Sequence, residues 1–355
     1  MKETLADSSP LIVAHNLGFR FDDGTELFSH LEFSVRRGCH VLLGPKGQGK
    51  ATLSRILCGE LSPSEGAVSR SFPVGSCLHF SFANSGIDGS MVVDEVGFGS
   101  EWRARRAIEA GSTEVDYYEV LERDWSWEER VQAALHDDPC LRGFRMEDLA
   151  ESLSAISRMR LRFMRAKLHD VRFVVFESPE LELKETEFEV LVSWIKAFDG
   201  SVLLITQAPQ LLALADSVWE LSPIGLRIFE GSFQSYLQEK ESERNEVQQA
   251  IETAQAELEK RREEADQARA RQERRIERGR KFADTGLPKK HRGNLKRKSQ
   301  ETLGKLAGQQ NKTLKEAEMK VNEAIDRASR LEDGLLPLPQ FDEFKTSGEE
   351  TLRPI

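Results

Sequence analysis

The chain has 355 residues, 39% of them hydrophobic and 31% charged, with a net charge of −10. That length holds one large domain or two smaller ones, and the absence of any long apolar run excludes a helical membrane span. Residues 1–10 are polar and acidic without an apolar signal core. Cys39, Cys58, Cys77 and Cys140 form no C-x-x-C pair, so reduced thiols in a cytoplasmic setting are expected and a zinc cluster is not.

Residues 11–43 read as strands separated by turns. An apolar start at 11–13 continues through 17–21, Asp22-Asp23-Gly24 makes a turn, and 27–35 alternates apolar and polar. The short apolar run Val41-Leu42-Leu43 then leads into Gly44-Pro45-Lys46-Gly47-Gln48-Gly49-Lys50-Ala51-Thr52. This is the G-x-x-x-x-G-K core of a phosphate-binding loop, and Leu53, Ile56 and Leu57 supply the helical stripe that should follow it. The glycines let backbone N–H groups close around phosphate oxygens, the helix N-terminus adds its dipole, and Lys50 reaches the outer phosphates. Ala51 stands where a Ser or Thr hydroxyl normally holds Mg²⁺.

Residues 62–66 form another turn, and 74–80 and 91–96 bracket a loop. Residues 101–145 read as polar helices anchored by Trp125, Trp127 and Leu135, and 157–169 as a helix dense in arginine. The buried-type strand Phe173-Val174-Val175-Phe176 runs straight into Glu177-Ser178-Pro179. A helix at 188–198 and apolar strands at 201–206 and 217–221 complete the pattern. Strands alternating with helices after a phosphate loop predict an α/β P-loop domain with nucleotide at the carboxyl edge of its sheet.

Near residue 233 the composition changes. Val247, Ile251, Ala254 and Leu258 are spaced 4, 3, 4, and Leu314, Ala317, Val321, Ala324, Ala328 and Leu331 are spaced 3, 4, 3, 4, 3. These are heptad seams. With Gly286-Leu287-Pro288 as a breaker between them, they predict two long helices folded back as an antiparallel hairpin. Residues 271–300 carry 12 Lys/Arg against 3 Asp/Glu, leaving 38 basic and 57 acidic residues elsewhere. A basic segment on an acidic body suggests a polyanion partner. The last residues are Pro-containing.

Taken together, this order resembles the ATP-binding-cassette family, and specifically its F subfamily of ribosome-associated translation factors. Those proteins join two cassettes by a helical-hairpin linker. The match is a first cassette over 9–232, a linker over 233–331 and the start of a connector over 332–355, without a second cassette. Val218-Trp219-Glu220-Leu221 and the stretch from Gly231-Ser232-Phe233 through Tyr236-Leu237-Gln238-Glu239-Lys240 look like that subfamily's passage from last strand into linker.

The resemblance implies ATP as ligand and a role for each motif position. Phe21 falls where an aromatic stacks on adenine, and His79 where a glutamine contacts Mg²⁺ and the attacking water. Leu153-Ser154-Ala155-Ile156-Ser157 falls at the L-S-G-G-Q/E signature, with Ala155 and Ile156 replacing the glycines. Glu177 takes the position of the aspartate that supports Mg²⁺ through water, Ser178 that of the catalytic glutamate, and Gln207 that of the histidine that senses the γ-phosphate. These departures imply a cassette with little or no hydrolysis and weakened Mg²⁺ dependence. Arg278, Arg280, Lys281, Lys289, Lys290, Arg292, Lys296, Arg297 and Lys298 are then the residues expected to meet ribosomal RNA or tRNA phosphates. Two alternatives stand beside this: an active ATPase completed by a homodimer or a partner cassette, and a scaffold that binds no nucleotide.

Overall fold

The computed structural model describes residues 9–82, 89–122, 124–184, 187–283 and 289–334. The chain divides into two compact units, one within Met1–Tyr236 and one over Leu237–Asp333. No helix among the described residues is long and apolar enough to cross a membrane.

The first unit runs β1 (Ile12–Arg20), β2 (Glu26–Val35), β3 (Gly38–Leu43), α1 (Lys50–Cys58), β4 (Glu65–Arg70) and β5 (Cys77–Ser81). Four helices follow: α2 (Val92–Glu95), α3 (Gly99–Glu109), α4 (Val115–Glu122) and α5 (Trp127–Asp137). Then come α6 (Ala155–Leu168), β6 (Phe173–Glu177), α7 (Phe188–Ala197), β7 (Ser201–Ile205), α8 (Pro209–Leu212), β8 (Ser217–Ser222) and β9 (Gly225–Glu230).

β1 lies antiparallel between β2 and β4, pairing Ile12 with both Val35 and Arg70. The larger sheet has the order β5-β6-β7-β3-β8-β9. Its first five strands are parallel, and β9 returns antiparallel along β8. Strands β3, β6 and β7 are almost wholly buried, as near-continuous apolar runs covered on both faces should be. Leu53, Ile56 and Leu57 of α1 share one core with Ile12, Leu17 and Val35 of the small sheet and with Phe173, Val175 and Leu203 of the large one. This burial fixes α1, and hence the loop before it, at the carboxyl edge of the parallel strands.

The helices between β5 and β6 have their own core, with Val92, Val96, Trp127, Val131, Leu141 and Leu161. Residues 92–95 form a helical turn with Val92 and Val93 buried. One expectation is corrected here: Trp125 is no anchor, being 67% exposed. The apolar stripe of α5 is Trp127, Val131 and Leu135, one residue per turn, and Trp125 precedes the helix and falls outside that stripe.

The second unit consists of the long part of α9 (Phe233–Ala283) and of α10 (Lys289–Gly334). Glu257 pairs with Lys320 at 3.3 Å and Arg262 with Glu318 at 3.4 Å, so the partner number falls as the other rises, as in an antiparallel hairpin. Val247, Ala317 and Val321 are buried, while Ile251, Ala254, Leu258, Leu314, Ala324 and Ala328 are half-buried. Ala265, one heptad beyond Leu258, continues the seam and is buried too. The Gly286-Leu287-Pro288 breaker, the Leu331 side chain and residues 335–355 lie outside the described residues.

Candidate phosphate-binding site

Buried β3 delivers Val41, Leu42 and Leu43 to the sheet edge, and the chain turns there through the phosphate loop. Two of its glycines are required by geometry. A Cβ on Gly44 would lie 2.3 Å from the Leu221 carbonyl oxygen, and one on Gly49 2.6 Å from Leu27 Cδ2. Gly49 also caps α1 with φ of 94°, a left-handed conformation that a side chain resists. Gln48 Nε2 donates to Leu27 O at 3.4 Å, whereas Lys46 is exposed. Lys50 opens α1 and folds back over the loop, its Nζ donating to Gly44 O at 2.7 Å and to Pro45 O at 2.8 Å. An ammonium has three donors, so one remains for an incoming oxygen. Burial pulls the Lys50 pKa down, against the pull of the Glu177 charge. Ala51 and Thr52 are half-buried on the first turn of α1.

Glu177 closes β6, next to β5, and its backbone pairs with Ser81. Its Oε2 lies 3.2 Å from His79 Nε2. The other ring nitrogen, Nδ1, faces Glu60 Oε2 at 3.6 Å, and Glu60 in turn meets Arg55 Nε at 3.6 Å. Ser54 Oγ, which donates to Ala51 O at 2.8 Å, sits 3.3 Å from His79 Nε2. The His79 side chain is 6% exposed and that of Glu177 17%. Burial opposes charge on His79, but the contact with Glu177 and the negative charges of Glu177 and Glu60 outweigh it, pushing its pKa up to about 9. The same contact, with smaller help from Ser81 and Lys50, lowers the Glu177 pKa despite burial. The imidazole ring thus lies buried between two carboxylates.

This corrects the place expected for His79. β5 continues to Ser81, so His79 sits two residues short of the strand's carboxyl end, facing α1 rather than the sheet edge. The strand-end position belongs to Ser81, whose hydroxyl hydrogen-bonds Glu177. Nothing in the local sequence marked the pairing, which arises from the parallel register of two strands distant in the chain.

The other candidates occupy separate places. Phe21 is 46% exposed and rests edge-on against Phe19, with centroids 5.4 Å apart. Ser154 caps α6, its Oγ accepting from Ser157 N at 3.2 Å, and Leu153 is buried beneath it. Ala155 and Ile156 are half-buried on the first turn, and Ser157 Oγ donates to Cys140 O at 3.3 Å. Ser178 is held in the left-handed region with φ 54° and ψ 50°, its N–H donating to Ile205 O at 2.7 Å. Gln207 is exposed beyond β7. Its backbone N–H donates to Glu180 Oε1 at 3.2 Å, and Thr206 Oγ1 donates to Glu180 Oε2 at 2.7 Å. Glu180, which sequence reading missed, thus ties the ends of β6 and β7 together.

Arg278 and Lys281 are exposed on α9, with Lys281 Nζ 3.3 Å from Glu277. The side chains of Arg280, Lys289, Lys290, Arg292, Lys296, Arg297 and Lys298 lie outside the described residues.

The residues around the loop do not fit a Mg²⁺ ion well. Ala51 offers no oxygen from its side chain, and the Glu177 carboxylate is engaged by His79 and Ser81. Among the described residues no cluster of three or more His, Cys, Asp or Glu side chains is arranged to hold a metal.

A family model described as ABC transporter matches residues 28–181. Among solved structures, the chain is similar to a bacterial Atm1-family ABC exporter with ATP bound, at 16% identity, over 66% of this chain and 41% of that one, with a TM-score of 0.46. It is also similar to an ATP-binding cassette of an ABC transporter in its ADP conformation, at 16% identity, over 64% of this chain and 94% of that one, with a TM-score of 0.48. The matched stretch holds the phosphate loop, the Ser154 helix start and the Glu177 strand end together, and over these residues the chain is similar to the cassette domain of ABC transporters.

Proposed function

We propose that this cassette binds ATP but hydrolyses it little or not at all, and that the chain is a relative of the F-subfamily translation factors. One observation carries the reading. The Lys50 loop is formed at the N-terminus of α1, while the position expected to supply the general base, just after β6, is Ser178. A serine hydroxyl ionises far above neutral pH and cannot polarise water as a carboxylate does, and loss of a general base lowers rates by about 10²- to 10⁴-fold. Gln207 can donate a hydrogen bond but carries no charge to offset that of a γ-phosphate. Ile156 adds bulk where the signature of a facing cassette would need close backbone approach.

The basic segment at 271–300 gives the hairpin a role of its own, contact with RNA phosphates. Such contact is salt-sensitive and largely indifferent to base sequence. The charge contrast with the acidic remainder of the chain supports it.

Calorimetric titration with ATP tests the first part. Saturable binding that is lost in Lys50→Ala supports it, and no binding by folded wild-type protein refutes it. For the second part, Arg278→Glu with Lys281→Glu should weaken binding to ribosomes or structured RNA at moderate salt. Undiminished binding would remove the RNA role.

A further inference from the structure

The helices between β5 and β6 carry a face that the functional reading above leaves unused. α4 turns Leu121, with Tyr117 and Val120, into the helical core. Its opposite side presents Val115, Tyr118, Glu119 and Glu122, whose spacings of 3, 4 and 7 from the first form one stripe. Val115 is 66% exposed, Tyr118 39%, and Trp125, in the turn that follows the helix, 67%. Large apolar side chains are commonly exposed singly, but three within eleven residues mark a surface made to be covered.

We infer that this face is covered by a second copy of the chain, through an arginine stripe on that copy's α9. The contact goes beyond the functional reading above and needs no nucleotide. Charge selects the occupant. Residues 114–129 hold seven acidic side chains and one basic. Asp124 and Glu128 are taken by Arg130 and Arg105, whereas Glu119 and Glu122 have no ion-pair partner among the described residues. Such a surface repels nucleic acid and anionic lipid and attracts Lys or Arg. The exposed Tyr118 and Trp125 rings add faces on which a guanidinium stacks.

The complement lies in the same sequence. Arg271, Arg274, Arg275 and Arg278 of α9 are exposed, and the same spacings of 3, 4 and 7 put them on one helical face. None of the four has an ion-pair partner among the described residues. The two stripes each run seven residues, about 10 Å of helix, so the guanidinium groups of one molecule match the carboxylates and rings of another in extent. Exposed ion pairs are individually weak, and two short stripes bury little area, so the association is weak, concentration-dependent and abolished by salt. Arg278 also belongs to the segment proposed above to meet RNA, so RNA competes with the second copy for it.

The test is the weight-average mass of the full chain, free of nucleotide and nucleic acid, by sedimentation equilibrium. At about 50 mM salt it should rise from the 40.2 kDa of one chain towards twice that or more as the concentration reaches about 100 μM, and it should fall back at about 500 mM salt. Glu119→Lys with Glu122→Lys should be monomeric at low salt, and so should Arg274→Glu with Arg275→Glu. All four positions are exposed, so the fold is kept. An equimolar mixture of the two variants should associate again, because the unaltered face of one meets the unaltered stripe of the other. A wild-type chain that stays monomeric at low salt, association that survives either charge reversal, or a mixture that stays monomeric overturns the inference. A monomeric wild type whose face still binds polyarginine through Glu119 and Glu122 means a basic partner other than a second copy, and overturns it too.

Discussion

His79 should give this protein a pH-dependent stability that a single substitution removes. Its imidazole is pushed up to about 9 from an ordinary 6.5 by Glu177 and Glu60, against its own burial. The groups facing it are Glu60, Glu177 and Ser54, with Arg55 acting on Glu60 and Ser81 and Lys50 on Glu177. A histidine whose pKa is higher folded than unfolded adds stability that is complete below about pH 6.5 and is lost as the pH rises through about 9. A rise of that size corresponds to roughly 3 kcal/mol, counted once for the whole cluster. For a unit of this size that is a Tm change of about 6–12 °C. The perturbation is His79→Gln, which cannot protonate. The assay is thermal unfolding of both proteins by circular dichroism at steps between pH 6 and pH 9.5. The wild-type advantage should be greatest near pH 6 and shrink towards pH 9.5, and taking the difference cancels the other groups that titrate in this window. Parallel Tm curves for the two proteins would refute the charged state assigned to His79.

Other substitutions probe the surrounding framework. Gly44→Ala places a Cβ against the Leu221 carbonyl oxygen, so the loop must shift, and ATP affinity should fall at least about tenfold in calorimetry while the far-ultraviolet spectrum is kept. Ser178→Gly relieves a left-handed serine and should raise stability by about 1 kcal/mol in urea unfolding, with ATP affinity unchanged. Glu182 is buried against Arg158 and Arg162, and Arg162 also stacks on Phe82 at 4.3 Å. Glu182→Ala strands two guanidinium groups and should destabilise the cassette by about 3–5 kcal/mol in the same assay.

The parts legible in the sequence are those where one local pattern decides the outcome. The glycine–lysine loop between an apolar run and a helical stripe locates the candidate site, and Phe173-Val174-Val175-Phe176 can hardly be anything but a strand covered on both faces. The hairpin is legible because heptad spacing survives a charged composition. What escaped has a common cause. β4 is mostly exposed and β9 only partly buried, so neither shows an apolar run or a clean alternation, and both are held by pairing with strands already placed. Glu180 and the His79–Glu177 pair depend on which strand lies beside which, and β5, β6 and β7 become neighbours only once the sheet is formed. Motif position placed His79 at the edge of the site, and strand register placed it inside.

Phosphate release at saturating ATP and Mg²⁺, from protein shown to be folded, decides between a silent cassette and a working one. We expect no turnover above that of Lys50→Ala, because Ser178 supplies no base and His79 holds Glu177. Mg²⁺-dependent release that disappears in Lys50→Ala would contradict this and would mean that a second copy or another cassette completes the site.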